Sequence, residues 1–450
     1  MVRTLTASVA TLALCAGAAA AQDLLVPVGE GDFTWDGYQE FADAYDFSGQ
    51  TVTLTGPWTG NEKEKVDKVF QYFAEATGAS VNYSGSDSFE QDIVISARSG
   101  SAPNIAVFPQ PGLAADMARQ GYLTPLPDGI GEWVAENYAA GDSLVDLGTY
   151  EGEDGEEDLF GMFYRIDVKS LVWYNPITFD EYGFDVPETM EELKELTEDM
   201  ADEGITPWCI GLGSGAATGW PATDWVEDMM LRLHAPEVYD QWVSNEIPFD
   251  DPQVVEAIEE FGWYAKNDDF VSGGAENAAT TDFRDSPGGL FTIPPECAMH
   301  RQASFIPAFF PEDAEQGENV DFFYLPSFEE KDLGQPLLGA GTLFAITNPS
   351  DATNAMFEFL KLPIAHEIWM AQDAFLTAHL GVNTDVYAND ALKQQGEILQ
   401  EATTFRFDAS DLMPSEIGAG AFWTGMIDFV TGAEADAVAA DIQSRWDSLN

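Results

Sequence analysis

The chain has 450 residues and carries Lys+Arg 18 against Asp+Glu 79, a formal net charge of −61 at pH 7. A surface this acidic repels phosphate backbones and anionic headgroups, which excludes charge-driven binding to nucleic acid or to a membrane surface. With 45% hydrophobic residues, 30 Phe and 12 Trp, it has ample apolar material to fold, into two or three domains at a prior of about 150 residues each. So few cations leave most carboxylates hydrated rather than paired, an arrangement that suits high salt and points to a saline setting outside the cytoplasm.

The amino end opens with Arg3, continues through Leu12 and Leu14, and closes on Ala19-Ala20-Ala21, the pattern of a cleavable secretory signal over residues 1–21. Bulky Leu14 before Cys15 argues against lipid attachment. No later apolar run approaches the roughly 20 residues of a membrane helix, so a soluble exported protein is expected. Cys209 and Cys297 then remain, and in an oxidising compartment they most economically form one disulfide, with two free buried thiols as the alternative. Neither their spacing nor the four scattered histidines fits a metal site, and no cofactor is implied.

Strand and helix patterns alternate along the first half. Thr51–Thr55 reads as a strand, followed by a helix through Val66, Val69, Phe70 and Phe73 that Gly78 stops. Val81–Tyr83 and Ile105–Phe108 read as further strands, with helical segments around Ile93–Ala97 and at Leu113 and Met117. This alternation is the pattern of a parallel α/β architecture, whose ligand loops follow the carboxyl ends of the strands. The acidic run Glu151–Asp158 is either a solvated hairpin tip or a cluster of hard oxygen donors for Ca²⁺, and its spacing does not match a calcium loop. Thr189 with Glu192 makes a capping box, and Asp251-Pro252 starts another helix. The last 90 or so residues read as mostly helical, with a break from Met413-Pro414 to Gly420.

The run from Gly161-Met-Phe-Tyr-Arg-Ile-Asp167 to Trp173-Tyr-Asn-Pro176 resembles the signature of family 1 extracellular solute-binding proteins, the sugar-binding subunits of ABC importers. Phe73–Gly78, Gly100–Ile105 and Gly121–Leu126 fit the same pattern, with Asn104 where the family usually has Asp. Pro207–Trp225 and Glu296–Ser304 resemble the branch of periplasmic alpha-glucoside-binding proteins. The resemblance implies a type II two-lobe α/β fold with the ligand between the lobes: residues 22–164 with 326–380 as lobe one, and 165–325 with 381–450 as lobe two. The chain would cross near Phe163–Asp167 and return near Phe322–Phe328. It also implies a periplasmic, monomeric, non-enzymatic protein that passes a small carbohydrate to permease subunits.

A neutral sugar needs convergent hydrogen-bond partners for its hydroxyls and aromatic platforms for its faces. Trp58, Glu62, Ser86, Asp87 and Gln110 lie in loops after the first three strands. Trp220 and Asp224 follow the Gly213-Ser214-Gly215 loop; Trp220 is a platform or a core residue, and Asp224 a ligand contact or a helix cap. Glu296 and Arg301 flank the second cysteine, so that a disulfide would tie two ligand-facing loops. Gly341 reads as part of a tight first-lobe loop, Trp423 as a late platform, and Arg165 and Asp167 as ligand contacts or a lock on the closed form. Two other readings compete: a secreted glycoside hydrolase, whose two carboxylates need no local motif, and the same fold holding a polyamine among Asp87, Asp224 and Glu296.

Overall fold

The computed structural model describes residues 24–139, 141–401 and 404–449; the signal segment 1–21 lies outside them. Eleven strands occur among the described residues. β1 (Thr51–Gly56), β2 (Ser80–Gly85) and β3 (Ile105–Phe108) are parallel, in the order β2-β1-β3. The helix Gly60–Thr77 between the first two buries Val66, Val69, Phe70 and Phe73 at helical spacing. Gly78 ends it at φ +71°, its N–H bonded to the Ala74 carbonyl, as the C′ reading requires.

β4 (Thr149–Glu151) and β5 (Glu157–Leu159) pair antiparallel, making the acidic run a hairpin tip. β6 (Gly161–Val168) is buried throughout and leads into β7 (Leu171–Tyr174), which lies between β8 (Met299–Arg301) and β9 (Asp321–Tyr324) in a separate antiparallel sheet. β10 (Pro336–Ile346) is the longest strand, and all eleven of its residues are buried. One edge pairs with β6 along nearly its whole length; the other pairs with β3 through Leu343–Ile346 and with β11 (Thr404–Phe407) through Pro336–Gly339.

Two large hydrophobic cores result, with a third, smaller cluster that includes Val168, Trp173, Phe283 and Leu337. The first gathers residues from Tyr38 to Ile166 and from Ala340 to Ala378, with Phe407; the second takes Val172 to Leu338 and Ala409 to Trp446. The chain therefore changes core within β6, between Leu338 and Ala340 of β10, and between Phe407 and Ala409. The return expected near Phe322–Phe328 occurs later, because β9 is fully engaged with β7 and Leu325 lies in the second core. For the same reason residues 326–335 stay with the second core, while Val382 and Val386 still pack against the first. β11 interrupts the expected helical tail, and the break after Met413-Pro414 is a π-helical turn, Ile417–Phe422.

Thr189 caps its helix as expected, its hydroxyl accepting from the Glu192 N–H (3.1 Å); the Glu192 carboxylate reaches back to the Glu188 N–H instead of that of Thr189 (2.8 Å). Cys209 and Cys297 form a disulfide closing an 88-residue separation. The enclosed loop carries Trp220 and Phe283. Replacing both cysteines with alanine should lower unfolding free energy by about 2–5 kcal/mol, read from urea midpoints at an unchanged slope.

Candidate functional site

The carboxyl ends of β1, β2 and β3 open onto one cleft between the two cores, lined there by Pro57, Trp58, Glu62, Ser86, Asp87 and Gln110. Local sequence explains their placement. A Cβ at Gly85 would overlap the Trp58 carbonyl, so glycine lets the first loop lie against the second strand. The Trp58 N–H donates to the Tyr83 hydroxyl at 2.9 Å, and its indole packs edge-on against Trp369 at 4.8 Å between centroids. Pro109 and Pro111 flank Gln110, whose amide donates to Glu90 Oε1 at 3.1 Å.

The floor comes from the crossing strands. Arg165 and Asp167 lie two apart on β6 and so share a face, which Lys169 continues beyond the strand end. Gly341 lines the cleft too, but from within β10 and not from a loop. Its missing side chain lets β6 approach, since a Cβ would stand 2.8 Å from the Arg165 carbonyl.

The opposite wall holds Trp220, Phe283, Arg284 and Phe305, with Asp408, Ser410, Asp411 and Trp423 arriving after β11. Trp220 meets Phe283 edge-on at 4.9 Å. Gly219, at φ +112°, caps the helix Trp220–Leu233, and a Cβ there would overlap the Trp423 carbonyl; this glycine sets the two indoles' backbones side by side.

Ten of the thirteen expected ligand residues thus converge, and Asp224, Glu296 and Arg301 do not. Asp224 neither caps nor lines. The helix starts at Trp220, so Asp224 falls in its second turn, 1% exposed, with Oδ1 2.8 Å from the Lys169 ammonium. Arg301 is buried behind it, paired with Asp224 and Asp228. Glu296 is exposed on the far side of its segment, because neighbouring Cys297 turns inward to the disulfide. Consequently the disulfide braces the loop bearing Phe283 and joins no second ligand-facing loop.

Each cation at the cleft is matched by two carboxylates. Arg165 bonds Glu62 (2.8 Å) and Asp167 (3.0 Å); Lys169 bonds Asp224 and Asp408; Arg284 bonds Asp87 (2.7 Å) and Asp282 (3.2 Å). Behind Lys169 the acids outnumber the bases. Burial, aided by Asp408, pushes Asp224 up to about 7, against the pull of Lys169. Burial and Asp408 also push Glu227 well up, which favours its protonated form beside Asp408; its Oε1 accepts from the Ser410 N–H at 2.9 Å. Burial opposes ionisation of Asp408 as well, yet Lys169 and the Glu227 hydrogen bond hold it low. Asp224, Glu227 and Asp408 bring carboxylate oxygens within 4.8 Å of one another, the donor type of a hard cation, but the Lys169 ammonium already bonds two of the three.

Some cleft-lining polar atoms have no partner in the protein: the indole N–H groups of Trp58 and Trp423, the Gln110 carbonyl oxygen and the Thr342 hydroxyl. Each such buried group costs about 1–3 kcal/mol unless something bonds it. The cavity they face holds about 140 Å³, small against the roughly 300–1,000 Å³ of drug-sized pockets. The lobes touch around it. Asn61 donates to the Ala308 carbonyl at 3.0 Å, and Asp116 accepts from the Ser415 N–H (3.0 Å) and hydroxyl (2.6 Å).

Residues 59–367 match the model of the bacterial extracellular solute-binding protein family. Over the full length of both chains the sequence is 57% identical to the alpha-glucosides-binding periplasmic protein AglE of Rhizobium meliloti (strain 1021). It is 42% identical to the osmoprotective compounds-binding protein GgtB of Synechocystis sp., over 88% of this chain and 92% of that one. Among solved structures, the bacterial solute receptor AcbH superposes with a TM-score of 0.76 at 17% identity, over 89% of this chain and 99% of that one. A chitin oligosaccharide binding protein superposes at 0.74 and 18%, over 88% and 98%. At these identities the superpositions speak for the fold, a type II two-lobe binding protein. The relatives in sequence are binding proteins rather than enzymes. The chain belongs to the bacterial extracellular solute-binding proteins.

Proposed function

We propose that this protein captures a small neutral polyhydroxy solute, an alpha-glucoside in the first instance, and delivers it to the permease of an ABC importer. One observation carries the reading: unpartnered donors and acceptors from both lobes, together with the rings of Trp58, Trp220, Phe283, Phe305 and Trp423, line a single cavity. Rings suit the flat apolar faces of a sugar, and the polar atoms suit its hydroxyls. The double pairing of Arg165, Lys169 and Arg284 leaves the site poorly suited to an anion. Glu62, Ser86, Asp87, Gln110 and Asp167 bond hydroxyls, while Asp224 and Arg301 act from behind by holding Lys169 and the helix that carries Trp220.

The chain passes between the lobes in β6, in β10 and just after β11, and these segments are the hinge. Ligand bridges both lobes only when the cleft is shut, so binding shifts the population toward the shut form, which the permease reads. The protein acts as a monomer in the periplasm after loss of residues 1–21. The relative at 57% identity supports the alpha-glucoside; the relative at 42% identity and the salt-adapted charge support an osmoprotective solute as the second reading.

Tryptophan fluorescence titrations with trehalose, sucrose, maltose, glucose, spermidine and a quaternary-ammonium osmolyte separate these. Saturation by a disaccharide without any product is the expected result. Saturation only by the osmolyte moves the reading to the second, and saturation only by spermidine, or steady release of glucose, rejects both.

A further inference from the structure

Two carboxyl groups in the cleft have no part in the pairing described so far. Glu90 stands in the first turn of the helix Phe89–Ser99, behind β2, and Asp411 in the short helix Ala409–Leu412 after β11. They line the same cavity from opposite lobes, and neither has an ion-pair partner among the described residues. The lobes meet closely beside them. A Cβ on Gly112 of the first lobe would overlap the Met413 carbonyl and stand 3.0 Å from that of Asp411.

Charged and polar groups from several elements face each carboxyl. Asp411 faces Asp408 on its own segment, Lys169 beyond β6, Asp224 on the helix Trp220–Leu233, and Glu90 across the cleft. Glu90 faces the Gln110 amide, which donates to it, and Asp92 on its own helix. Lys169, the cation that acts on Asp411, is already matched by Asp224 and Asp408, and Arg165 and Arg284 in the same cleft are likewise paired. Shutting the cleft therefore removes water from two acids and sets them against each other with no cation to spare.

We propose that Glu90 and Asp411 form a proton-dependent clasp on the solute, one carboxyl neutral and donating to a hydroxyl oxygen while the other accepts from a neighbouring hydroxyl, so that capture takes up a proton. The inference rests on reading the cleft as the solute site. With the lobes in contact, burial raises both groups from their ordinary values, Asp411 the further because Asp408 adds to it. Opening the cleft would return water to both groups and undo that rise. A group whose affinity for protons rises on closure favours closure fully below its open-form value, and that advantage is lost as pH rises through its shut-form value. Affinity is thus highest in mild acid and declines toward alkaline pH.

Calorimetric titration with sucrose, trehalose and maltose, repeated in buffers of different ionisation heat, reads the proton directly. The expected result is net proton uptake near pH 7, and binding at least about tenfold tighter at about pH 5.5 than at about pH 8, the change that uptake of one proton across a single pH unit supplies. Asp411→Asn and, from the other lobe, Glu90→Gln should each cut the uptake sharply and flatten that ratio to within about threefold. Sugar binding without uptake in the wild type overturns the clasp alone. So does uptake that persists in both variants, which would assign the proton to Asp224 or Glu227. Absence of sugar binding at every pH overturns the clasp and the underlying reading together.

Discussion

Lys169→Met should destabilise the protein by about 3–5 kcal/mol, because it strips the ammonium from two carboxyl groups that are almost wholly buried. Methionine fills the stem's volume, so packing is largely kept and the loss isolates the charge. Asp224 and Asp408 must then either stay ionised without a partner or take up protons that the unfolded chain would not hold. The sign of the pH dependence follows. With the cation gone both carboxyls rise in the folded state, so the deficit is full at alkaline pH and shrinks as pH falls through the raised values. Denaturant midpoints at about pH 8 and about pH 5 should therefore lie far apart for the variant and closer for the wild type, and adding Asp408→Asn should recover part of the loss at the higher pH. Equal deficits at both pH values would mean that Lys169 serves by packing alone.

The second large effect concerns motion rather than stability. Gly112 lies in the first turn of the helix Pro111–Arg119, and it approaches the segment Asp411–Met413 of the other lobe so closely that a Cβ would overlap the Met413 carbonyl. Gly112→Ala leaves the open form free of that clash and even improves helix propensity, by up to about 1 kcal/mol. Only the shut form suffers. Affinity for the solute should fall by about 100-fold, roughly 2.7 kcal/mol, while the melting temperature without ligand stays level or rises slightly. A variant that binds normally would show that the Asp411–Met413 segment gives way and that the contact does not limit closure.

The parts of the molecule legible in the sequence are those with a local period or a local stop. The helix ended by Gly78 and the strands Thr51–Gly56 and Ile105–Phe108 were readable because each repeats its own spacing and is bounded by turn residues. Trp58, Asp87 and Gln110 followed from one rule, that ligand loops succeed the carboxyl ends of parallel strands. Lys169 carries a local signal of its own: Arg165, Asp167 and Lys169 alternate, the period of one strand face. Phe283 and Phe305 had none, since nothing local separates two cleft aromatics from the other phenylalanines of a chain with 30.

Glu296 and Asp224 lie off the cleft for opposite reasons. Both are acids beside residues that belong to the lobe-two wall or its brace, yet one points to water and the other into a charge cluster. Sequence proximity says which segment arrives at a site, not which way a side chain faces when its partner, here Cys297 or Lys169, is supplied from elsewhere in the chain. The four-residue β11 carries no local signal, because it gains its partner only through β10, at Pro336–Gly339.

The placement of β10 bears on when this chain can become a folded protein at all. The first three strands of lobe one are complete by Phe108, but the strand that joins them to β6 begins at Pro336. Lobe two waits longer, since its core includes Ala409 to Trp446. Neither lobe can close on a chain that is still emerging, and contacts so distant in sequence form slowly. A polypeptide with this connectivity stays threadable until nearly its last residue has been delivered, which is the property that passage through a membrane channel before folding demands.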